Sequence, residues 1–260
     1  MNKKILIVTA VFSPEPVVSA KLSEQIASDL SLLNQVTVIA PNPTRPLNFK
    51  LEKKEHQTNL FKLVNLESYT CPESNFFGRI RESYSFGIAC KKYIEENKKN
   101  IDVIYMNSWP IFAQYITVKT SNKYHIPIIT HVQDVYPESL YVKMPVLENL
   151  FDLFFKRLDK FILKNSQNII AISEEMKKHL ASSREITLNK IKVVKNWQDE
   201  DAFINYEKIK KSYTTEQNIF TFMYMGNIGP VAGIDLLIES FCKANLESCR
   251  LRIAGSGSKK

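Results

Sequence analysis

Residues 220–255 read FTFMYMGNIGPVAGIDLLIESFCKANLESCRLRIAG. Two apolar runs in this stretch, at 220–225 and 249–255, predict β-strands, and the apolar spacing of 234–244 predicts an amphipathic helix between them. A strand, a helix and a further strand in that order indicate a parallel βαβ unit. The stretch therefore predicts an α/β fold, in which helices cover the faces of a parallel sheet.

The same alternation runs upstream of this unit. Short β-branched runs predict strands, and helical patterns such as that of residues 22–33 lie between them. We expect a doubly wound, Rossmann-like domain over residues 1–200, a polar linker over 201–218, and the first βαβ unit of a second Rossmann-like domain over 219–260. The strands predicted for the first domain are 3–10, 35–40, 61–67, 102–107, 126–132, 167–173 and 190–195.

Composition narrows the class of protein. The chain has 260 residues, of which 44% are hydrophobic and 24% charged, and this excludes disordered and collagen-like proteins. A formal net charge of +8 suits a partner that is nucleic acid, an anionic membrane or a phosphorylated substrate, but a general bias toward lysine gives the same number. The four cysteines are far apart and predict neither disulfides nor a zinc site. Because the sequence has neither a secretory leader nor a span of about 20 apolar residues, we expect a cytoplasmic protein.

The glycines are concentrated late in the chain. Five of the seven follow residue 225, and three of these belong to the turn GNIGPVAG at 226–233. This turn lies between a predicted strand and a predicted helix, where glycines let a phosphate approach the backbone and the helix N-terminus attracts anions. The turn therefore predicts phosphate binding, although a tight structural turn would have the same pattern.

A second candidate site follows the predicted strand at 126–132. The segment THVQDVYPES at 130–139 groups polar side chains at the carboxyl end of that strand, where ligands bind in open α/β sheets. Such groups can hold a substrate or transfer protons, although each alone is more often structural. They are His131, Gln133, Asp134, Tyr136 and Glu138.

Two further loops leave alternatives open. The loop FSPEPVVSA at 12–20 has no glycine, which favours a plain connecting loop over direct phosphate contact, although Ser19 could cap the helix that follows it and offer a hydroxyl. The segment KNWQDEDAF at 195–203 places Asn196 and Trp197 either in a cleft or against the linker.

Two helical stretches, at 75–93 and 147–164, combine apolar and basic residues. Helices of this kind can lie on an anionic membrane surface. They can also pack their apolar face on the sheet and expose the basic face to solvent, and the stretch at 147–164 favours this packing.

Five segments carry a family resemblance: VFSPEPVVSAKLSEQIASDL (11–30), THVQDVYPESL (130–140), IIAISEEMKKHL (169–180), KVVKNWQDEDAF (192–203) and YMGNIGPVAGIDLLIESF (224–241). Together they resemble the family 4 (group 1) glycosyltransferases, most closely the bacterial surface-polysaccharide branch that includes the L-fucosamine transferases. The resemblance implies a GT-B fold with two Rossmann-like domains. It also implies retaining transfer of a sugar from a nucleotide diphosphate donor to a polysaccharide or lipid-linked acceptor, as in O-antigen or capsule synthesis.

The resemblance also implies partners and sites. It implies no metal or other cofactor. We expect no nucleic-acid partner, and the two basic helices described above would be the elements in any peripheral contact with the anionic inner membrane. Residue by residue, it assigns catalysis to Asp134 and His131, donor binding to Gly226, Asn227, Gly229 and Gly233, and the cleft and acceptor to Ser19, Ala20, Gln133, Glu138, Asn196 and Trp197.

Some family features differ in this sequence. Asn227 and Ala232 replace the basic residues that many relatives direct at the diphosphate. The relatives' paired glutamates of the second domain have no counterpart before Lys260, so we expect a donor domain that is truncated. A non-catalytic acceptor-binding or partner subunit is therefore the alternative function. Nicotinamide-dependent oxidoreduction is disfavoured because no glycine fingerprint lies near residue 12.

Overall fold

The computed structural model describes residues 2–44, 60–71, 76–107, 110–136, 138, 148–198, 200–209, 219–229 and 232–257. The chain divides into two compact units, Met1–Trp197 and Gln198–Lys260.

The described strands of the first unit form one parallel seven-stranded sheet. These strands are β1 (Lys4–Val8), β2 (Gln35–Pro41), β3 (Lys62–Leu66), β4 (Val103–Asn107), β5 (Ile128–Val132), β6 (Asn168–Ala171) and β7 (Ile191–Val193). Their order across the sheet is β3-β2-β1-β4-β5-β6-β7. Every run predicted as a strand in this unit is one, and the expected doubly wound α/β fold is confirmed.

In the described part of the first unit, a helix follows each of β1, β3, β4, β5 and β6 along the chain. These helices are α1 (Val18–Ser31), α2 (Phe76–Asn97), α3 (Ile111–Lys123), α4 (Glu148–Asn165) and α5 (Glu174–Arg184). Helix α5 begins after Ser173, whose Oγ accepts a hydrogen bond from the Met176 amide at 3.1 Å, and it ends at Glu185 in the left-handed conformation. A serine cap and a left-handed terminal residue satisfy polar groups that the ends of a helix leave unpaired.

Apolar cores lie on both faces of the sheet. Leu6, Ile104 and Ile128 project from the strands into one core, where they meet side chains of α2, α3 and α4. Ile7 and Val38 project into the other, where they meet α1. Strands with cores on both faces are apolar at successive positions, and this explains the continuous apolar runs in the sequence.

Helices α2 and α3 pack closely at Gly87. A Cβ atom at this position would lie 2.8 Å from Cδ1 of Ile116 and 2.9 Å from the Cα of Ala113. Nearby, Ser83 Oγ accepts hydrogen bonds from the amides of Phe112 and Ala113 at the start of α3. The close approach and these hydrogen bonds fix α3 on α2.

The second unit contains α6 (Asp201–Ile209), β8 (Phe220–Met225), α7 (Ile234–Ala244) and β9 (Cys249–Ala254). Strands β8 and β9 are parallel and in register from Phe220↔Cys249 to Met225↔Ala254, which is the βαβ unit predicted from residues 220–255. Helix α6 lies in the segment predicted as a linker, whose remaining residues, 210–218, are outside the described part. Several large apolar side chains of β8 are exposed, and Met225 is 76% exposed.

Within the described ranges, no helix is both long enough and apolar enough to cross a membrane.

Candidate functional site

The carboxyl edge of the sheet has a reversal of strand order between β1 and β4. The chain adds β2 and β3 on one side of β1 and the later strands on the other. Open α/β sheets bind ligands at such a switch point. Thr9 follows β1, Asn107 ends β4, and His131 lies in β5 opposite Asn107. All three side chains are buried, so polar groups have been placed at this edge away from solvent.

Asn107 is the centre of a small polar cluster. Its Nδ2 donates hydrogen bonds to Oγ of Ser23 in α1 at 2.7 Å and to Oγ1 of Thr9 at 3.3 Å. Its Oδ1 is buried and accepts no hydrogen bond from any described residue. A buried carbonyl oxygen without a donor is rare in folded proteins and costs about 1–3 kcal/mol. Asn107 therefore presents an unused acceptor at the switch point.

His131 contributes a second unused polar atom. Its Nδ1 lies 2.5 Å from the Tyr105 hydroxyl, and its Nε2 is buried with no hydrogen-bond partner in the described part of the chain. Burial lowers the pKa of His131 to about 4 and raises that of Tyr105, so both side chains are neutral at pH 7. If the tyrosine hydroxyl donates to Nδ1, the imidazole hydrogen is on Nε2, which then serves as a hydrogen-bond donor to a ligand.

A buried arginine holds the loop that follows β5. Arg184, at the end of α5, is inaccessible to solvent. Its Nη2 donates to the Tyr136 carbonyl at 2.8 Å and to Glu138 at 2.7 Å, and its Nε donates to Asp159 of α4 at 2.6 Å. The arginine thus ties this loop to two helices.

The same contacts set the ionisation of the two carboxylates. Burial raises the pKa of Asp159 to about 6, against the lowering effect of Arg184. For Glu138, burial acts in the same direction, but the hydrogen bond and charge of Arg184 outweigh it and lower the pKa. Asp134, two residues before Tyr136, is exposed, and Gln133 is half-buried. The arginine cluster therefore positions the segment in which the predicted site residues Gln133, Asp134 and Glu138 lie.

The glycine turn of the second unit connects β8 to α7. The Gly226 amide donates to the Ala254 carbonyl at 3.0 Å, and the Ile228 amide donates to the Ser256 carbonyl at 2.8 Å. The Tyr224 hydroxyl donates to the Asn227 carbonyl at 2.9 Å. These bonds continue the β8–β9 pairing into the turn and use two of the amides that the sequence offered for phosphate binding. Residues 230–231 of the turn lie outside the described part.

Gly255 and Gly257 allow this pairing. A Cβ atom would lie 1.8 Å from the Gly226 carbonyl oxygen at residue 255 and 2.1 Å from the Ile228 carbonyl oxygen at residue 257, so no larger residue fits. Helix α7 then begins after Gly233, which is left-handed and makes no side-chain capping bond. A first helical turn that has no side-chain cap is a place where an anion can bind, although Asp235 puts a negative charge there.

The sequence profile of glycosyltransferase family 4 matches residues 24–202, more than half of the chain. The chain belongs to glycosyltransferase family 4. The match includes His131, Asn107 and the arginine cluster, so the candidate site of the first unit lies in the family 4 region. No curated protein matches the chain in sequence.

Solved GT-B glycosyltransferases share the fold. Sucrose-phosphate synthase from Thermosynechococcus elongatus has a TM-score of 0.66 at 13% identity, over 100% of this chain and 64% of that one. Anabaena HepE, solved with UDP and glucose, has a TM-score of 0.59 at 14% identity, and the match covers 98% of this chain and 62% of that one. A glycosyltransferase from Rickettsia africae has a TM-score of 0.55 at 19% identity, and the match covers 96% of this chain and 60% of that one. The chain thus spans about three fifths of the length of these structures, and the GT-B assignment of the fold is confirmed.

The remaining predicted residues of the first unit are Ser19 and Ala20 in α1, and Asn196 and Trp197 near the end of the unit. Ser19 is inside the first turn of α1, which begins after Val17 without a side-chain cap, so the capping role expected for Ser19 is wrong. Its carbonyl instead accepts a hydrogen bond from Ser23 Oγ at 2.8 Å. Ala20 is completely buried. The Trp197 indole donates to Oε1 of Gln25 in α1 at 3.0 Å, and Asn196 beside it is exposed.

Sequence reasoning missed Asn107, Arg184 and the glycine pair at 255 and 257. A signal existed for Asn107, because it is the polar residue that ends the apolar run DVIYMN. None existed for Arg184, since its helix is rich in charged residues and gives no indication that one of them is buried.

Proposed function

We propose that the chain takes part in glycosyl transfer, in which a sugar passes from a nucleotide diphosphate donor to a polysaccharide or lipid-linked acceptor. The observation that carries the proposal is a pair of buried polar atoms, Asn107 Oδ1 and His131 Nε2, that have no hydrogen-bond partner among the described residues and lie on adjacent strand ends of a family 4 domain. A sugar offers hydroxyl groups that donate to the first and accept from the second. The UDP and glucose bound by Anabaena HepE are consistent with this substrate class.

In the proposed reaction, His131 and Asp134 act on the transferred sugar. A neutral His131 donates from Nε2 to a sugar hydroxyl, and this orients the anomeric carbon toward the acceptor. Asp134, exposed beyond β5, approaches the incoming acceptor hydroxyl. Gln133 and Glu138 contribute to the acceptor side, and the Arg184 contact at Glu138 keeps the loop in place. Ser19, Ala20, Asn196 and Trp197 belong to the same proposed acceptor side.

The donor diphosphate is assigned to the second unit. The proposal places it at the N-terminus of α7, with Asn227 and the glycines 226, 229 and 233 around it. The helix dipole and backbone amides would stabilise the negative charge that develops on the leaving diphosphate. We therefore propose that transfer needs no metal ion.

The finer assignments follow the family resemblance. They are retention of anomeric configuration, a cytoplasmic role in O-antigen or capsule synthesis, and a relationship to the L-fucosamine transferases. For peripheral contact with an anionic membrane we propose α4, because Leu153 and Phe154 are each 52% exposed and Arg157 lies beside them.

The test uses the full chain with UDP-, GDP- and dTDP-linked sugars. Binding is measured by calorimetry, and transfer to lipid-linked and free glycans is followed by release of nucleoside diphosphate. We expect one nucleotide class to bind, and His131→Gln to lower the transfer rate at least about 100-fold. The matched control is His125→Asn, an exposed histidine at the opposite edge of the sheet.

Three results would count against the proposal, the first against all of it and the other two against single parts. Failure of every nucleotide sugar to bind at about 1 mM would overturn it as a whole. Equal losses in the His131 and His125 variants would remove the role of His131. A product with inverted anomeric configuration by NMR would remove retention alone.

A second candidate function is a non-catalytic subunit that binds the acceptor. Two observations favour it: the Gly226 and Ile228 amides are already used within the turn, and β8 exposes large apolar side chains. Nucleotide binding distinguishes the two functions, because this subunit would bind glycan acceptors without binding any nucleotide sugar.

A further inference from the structure

A groove of about 690 Å³ runs between α2 and the segment that follows β3. We call it the α2 groove. Its lining includes Tyr69, Arg81, Tyr84, Lys92, Tyr93 and Glu96.

The wall formed by the segment after β3 is fixed to the helix. The Tyr69 amide donates to Ser85 Oγ at 2.9 Å, and the Cys71 amide donates to Glu82 at 3.2 Å. The Arg81 guanidinium lies 4.2 Å from the centre of the Tyr69 ring, in cation–π contact. Hydrogen bonds and a cation–π contact therefore fix the segment after β3 to α2 as one wall of the groove.

The chemistry of the groove is both aromatic and charged. Three tyrosines line it, and two cations, Arg81 and Lys92, are matched by two acids, Glu67 and Glu96. In the described part of the chain, neither acid nor Lys92 makes an ion pair or a side-chain hydrogen bond. The groove thus offers aromatic faces together with both donors and acceptors, and these lining charges sum to zero.

This combination fits a neutral glycan. Tyrosine faces pack on the C–H faces of sugar rings, and sugar hydroxyls pair with ammonium donors and carboxylate acceptors alike. An anionic lipid surface fits less well, because it would bring phosphates toward two carboxylates.

The location suits a glycan that also reaches the candidate site. Phe86, on another side of α2, lines a small cavity together with Thr9 and Asn107 at the switch point. Helix α2 therefore lines both the groove and the cavity at Asn107.

We infer that the α2 groove binds the non-reacting sugar units of the glycan acceptor. The inference rests on the proposed function, in which the reacting end of the acceptor lies at the carboxyl edge of the sheet. Sugar units in the groove would hold the acceptor by contacts that take no part in the reaction.

The first experiment measures glycan binding without any nucleotide. Cellotetraose, maltotetraose and N-acetylchitotetraose are titrated into the full chain and followed by saturation-transfer NMR. We expect at least one to bind with a Kd near 1 mM or below, and Tyr84→Ala to weaken it at least about tenfold. The matched control is Tyr206→Ala, because Tyr84 and Tyr206 are helical tyrosines that are 56% and 58% exposed.

A second pair of variants tests the charged lining. Lys92→Met should weaken binding severalfold, whereas Lys91→Met, one residue away on the same helix and outside the groove, should leave it unchanged. Equal effects of the two lysine variants, or binding of none of the three glycans at about 10 mM, would overturn the inference.

Further measurements distinguish glycan binding in the groove from the proposed function and from binding to a membrane surface. Glycan binding that depends on Tyr84, in a chain that transfers no sugar, would support the groove and count against the proposed function. Sugar transfer with an acceptor KM unchanged in Tyr84→Ala would support the function and overturn the groove. Flotation with phosphatidylglycerol vesicles that is lost in Tyr84→Ala, without glycan binding, would overturn the inference in favour of a lipid surface.

Discussion

Each unit contains a strand, a loop and a helix in that order, β1 to α1 in the first unit and β8 to α7 in the second, yet the two strands are buried very differently. In β1, Leu6, Ile7 and Val8 are each no more than 3% exposed. In β8, whose sequence FTFMYM is also mostly apolar, Phe220 is 64% and Met225 is 76% exposed. Both strands are thus mostly apolar, and their surroundings differ.

The difference shows that neighbouring elements bury a strand, whatever its own sequence. β1 has a strand on each side and apolar cores on both faces. Among the described residues, β8 pairs with β9 alone, and its contact with α7 includes Phe222 against Phe241. Stability should therefore respond strongly to changes in the first unit and weakly to changes of the same kind in the second.

The largest expected effect is that of Arg184→Met in the first unit. Removing the guanidinium leaves Asp159 and Glu138 partly buried without their cation, and this should lower the free energy of unfolding by about 3–5 kcal/mol. Urea denaturation followed by tryptophan fluorescence measures it, since both tryptophans lie in the first unit. Lys243→Met breaks the exposed Lys243–Glu239 pair of the second unit and should change the free energy of unfolding little, as measured by circular dichroism. Similar losses in the two variants would contradict the comparison.

Next in size is a test of the two strands themselves. Leu6→Ala in β1 should cost about 2–5 kcal/mol, because it leaves a cavity in a closed core. Met225→Ala in β8 should change stability by no more than about 0.5 kcal/mol, since most of this side chain is already in solvent. The free energies of unfolding of both variants from urea titrations check this. A large loss for Met225→Ala would mean that another group covers β8 in solution.

The third prediction concerns pH. The folded pKa of His131, about 4, is below the value near 6.5 of an unfolded histidine, so the unfolded chain binds more protons between these limits. Stability should therefore fall as pH decreases from about 6.5 to 4, by up to about 3 kcal/mol for this group. Residues 198–260 contain no histidine, so the effect belongs to the first unit.

His131→Gln isolates this contribution from that of Asp159. Because the Asp159 pKa is raised to about 6, the contribution of Asp159 to stability increases as the pH falls over much of the same range, whereas that of His131 decreases. The difference in unfolding free energy between the parent chain and His131→Gln, measured from pH 7.5 to 4.5, should shrink as the pH falls. A constant difference would show that His131 is not buried in its neutral form.

The smallest effect is a labelling pattern that leaves stability unchanged. Cys71 and Cys90 of the first unit are buried, whereas Cys242 is exposed and Cys249 half-exposed. Burial also raises the pKa of Cys90, so little of its reactive thiolate forms at neutral pH. Iodoacetamide followed by mass spectrometry should modify Cys242 first and Cys90 only on unfolding. Early labelling of Cys90 would contradict the closed core of the first unit.

The fold could be predicted from the sequence, because parallel strands that are covered on both faces are continuous apolar runs. The run at 35–40, for example, became β2 (Gln35–Pro41). The sequence also predicted that His131 and Asp134 lie at the carboxyl end of a strand, and they lie at the end of β5, while their role in a site stays a prediction. It could not locate the Asn107 cluster, because Asn107 is 84 residues from Ser23 and 98 from Thr9, and only the folded sheet brings them together. Arg184 was missed for a related reason, since its burial depends on carboxylates from two other segments.

The contact at Gly87 has a consequence for how the sequence can evolve. A methyl group there would meet both the Ile116 side chain and the backbone of Ala113. A smaller residue at 116 would relieve the first clash, but no substitution at 113 moves its Cα out of the way. We therefore expect position 87 to stay glycine under selection for folding, while position 116 varies. A single residue without a side chain would then preserve the close spacing of α2 and α3 among related sequences.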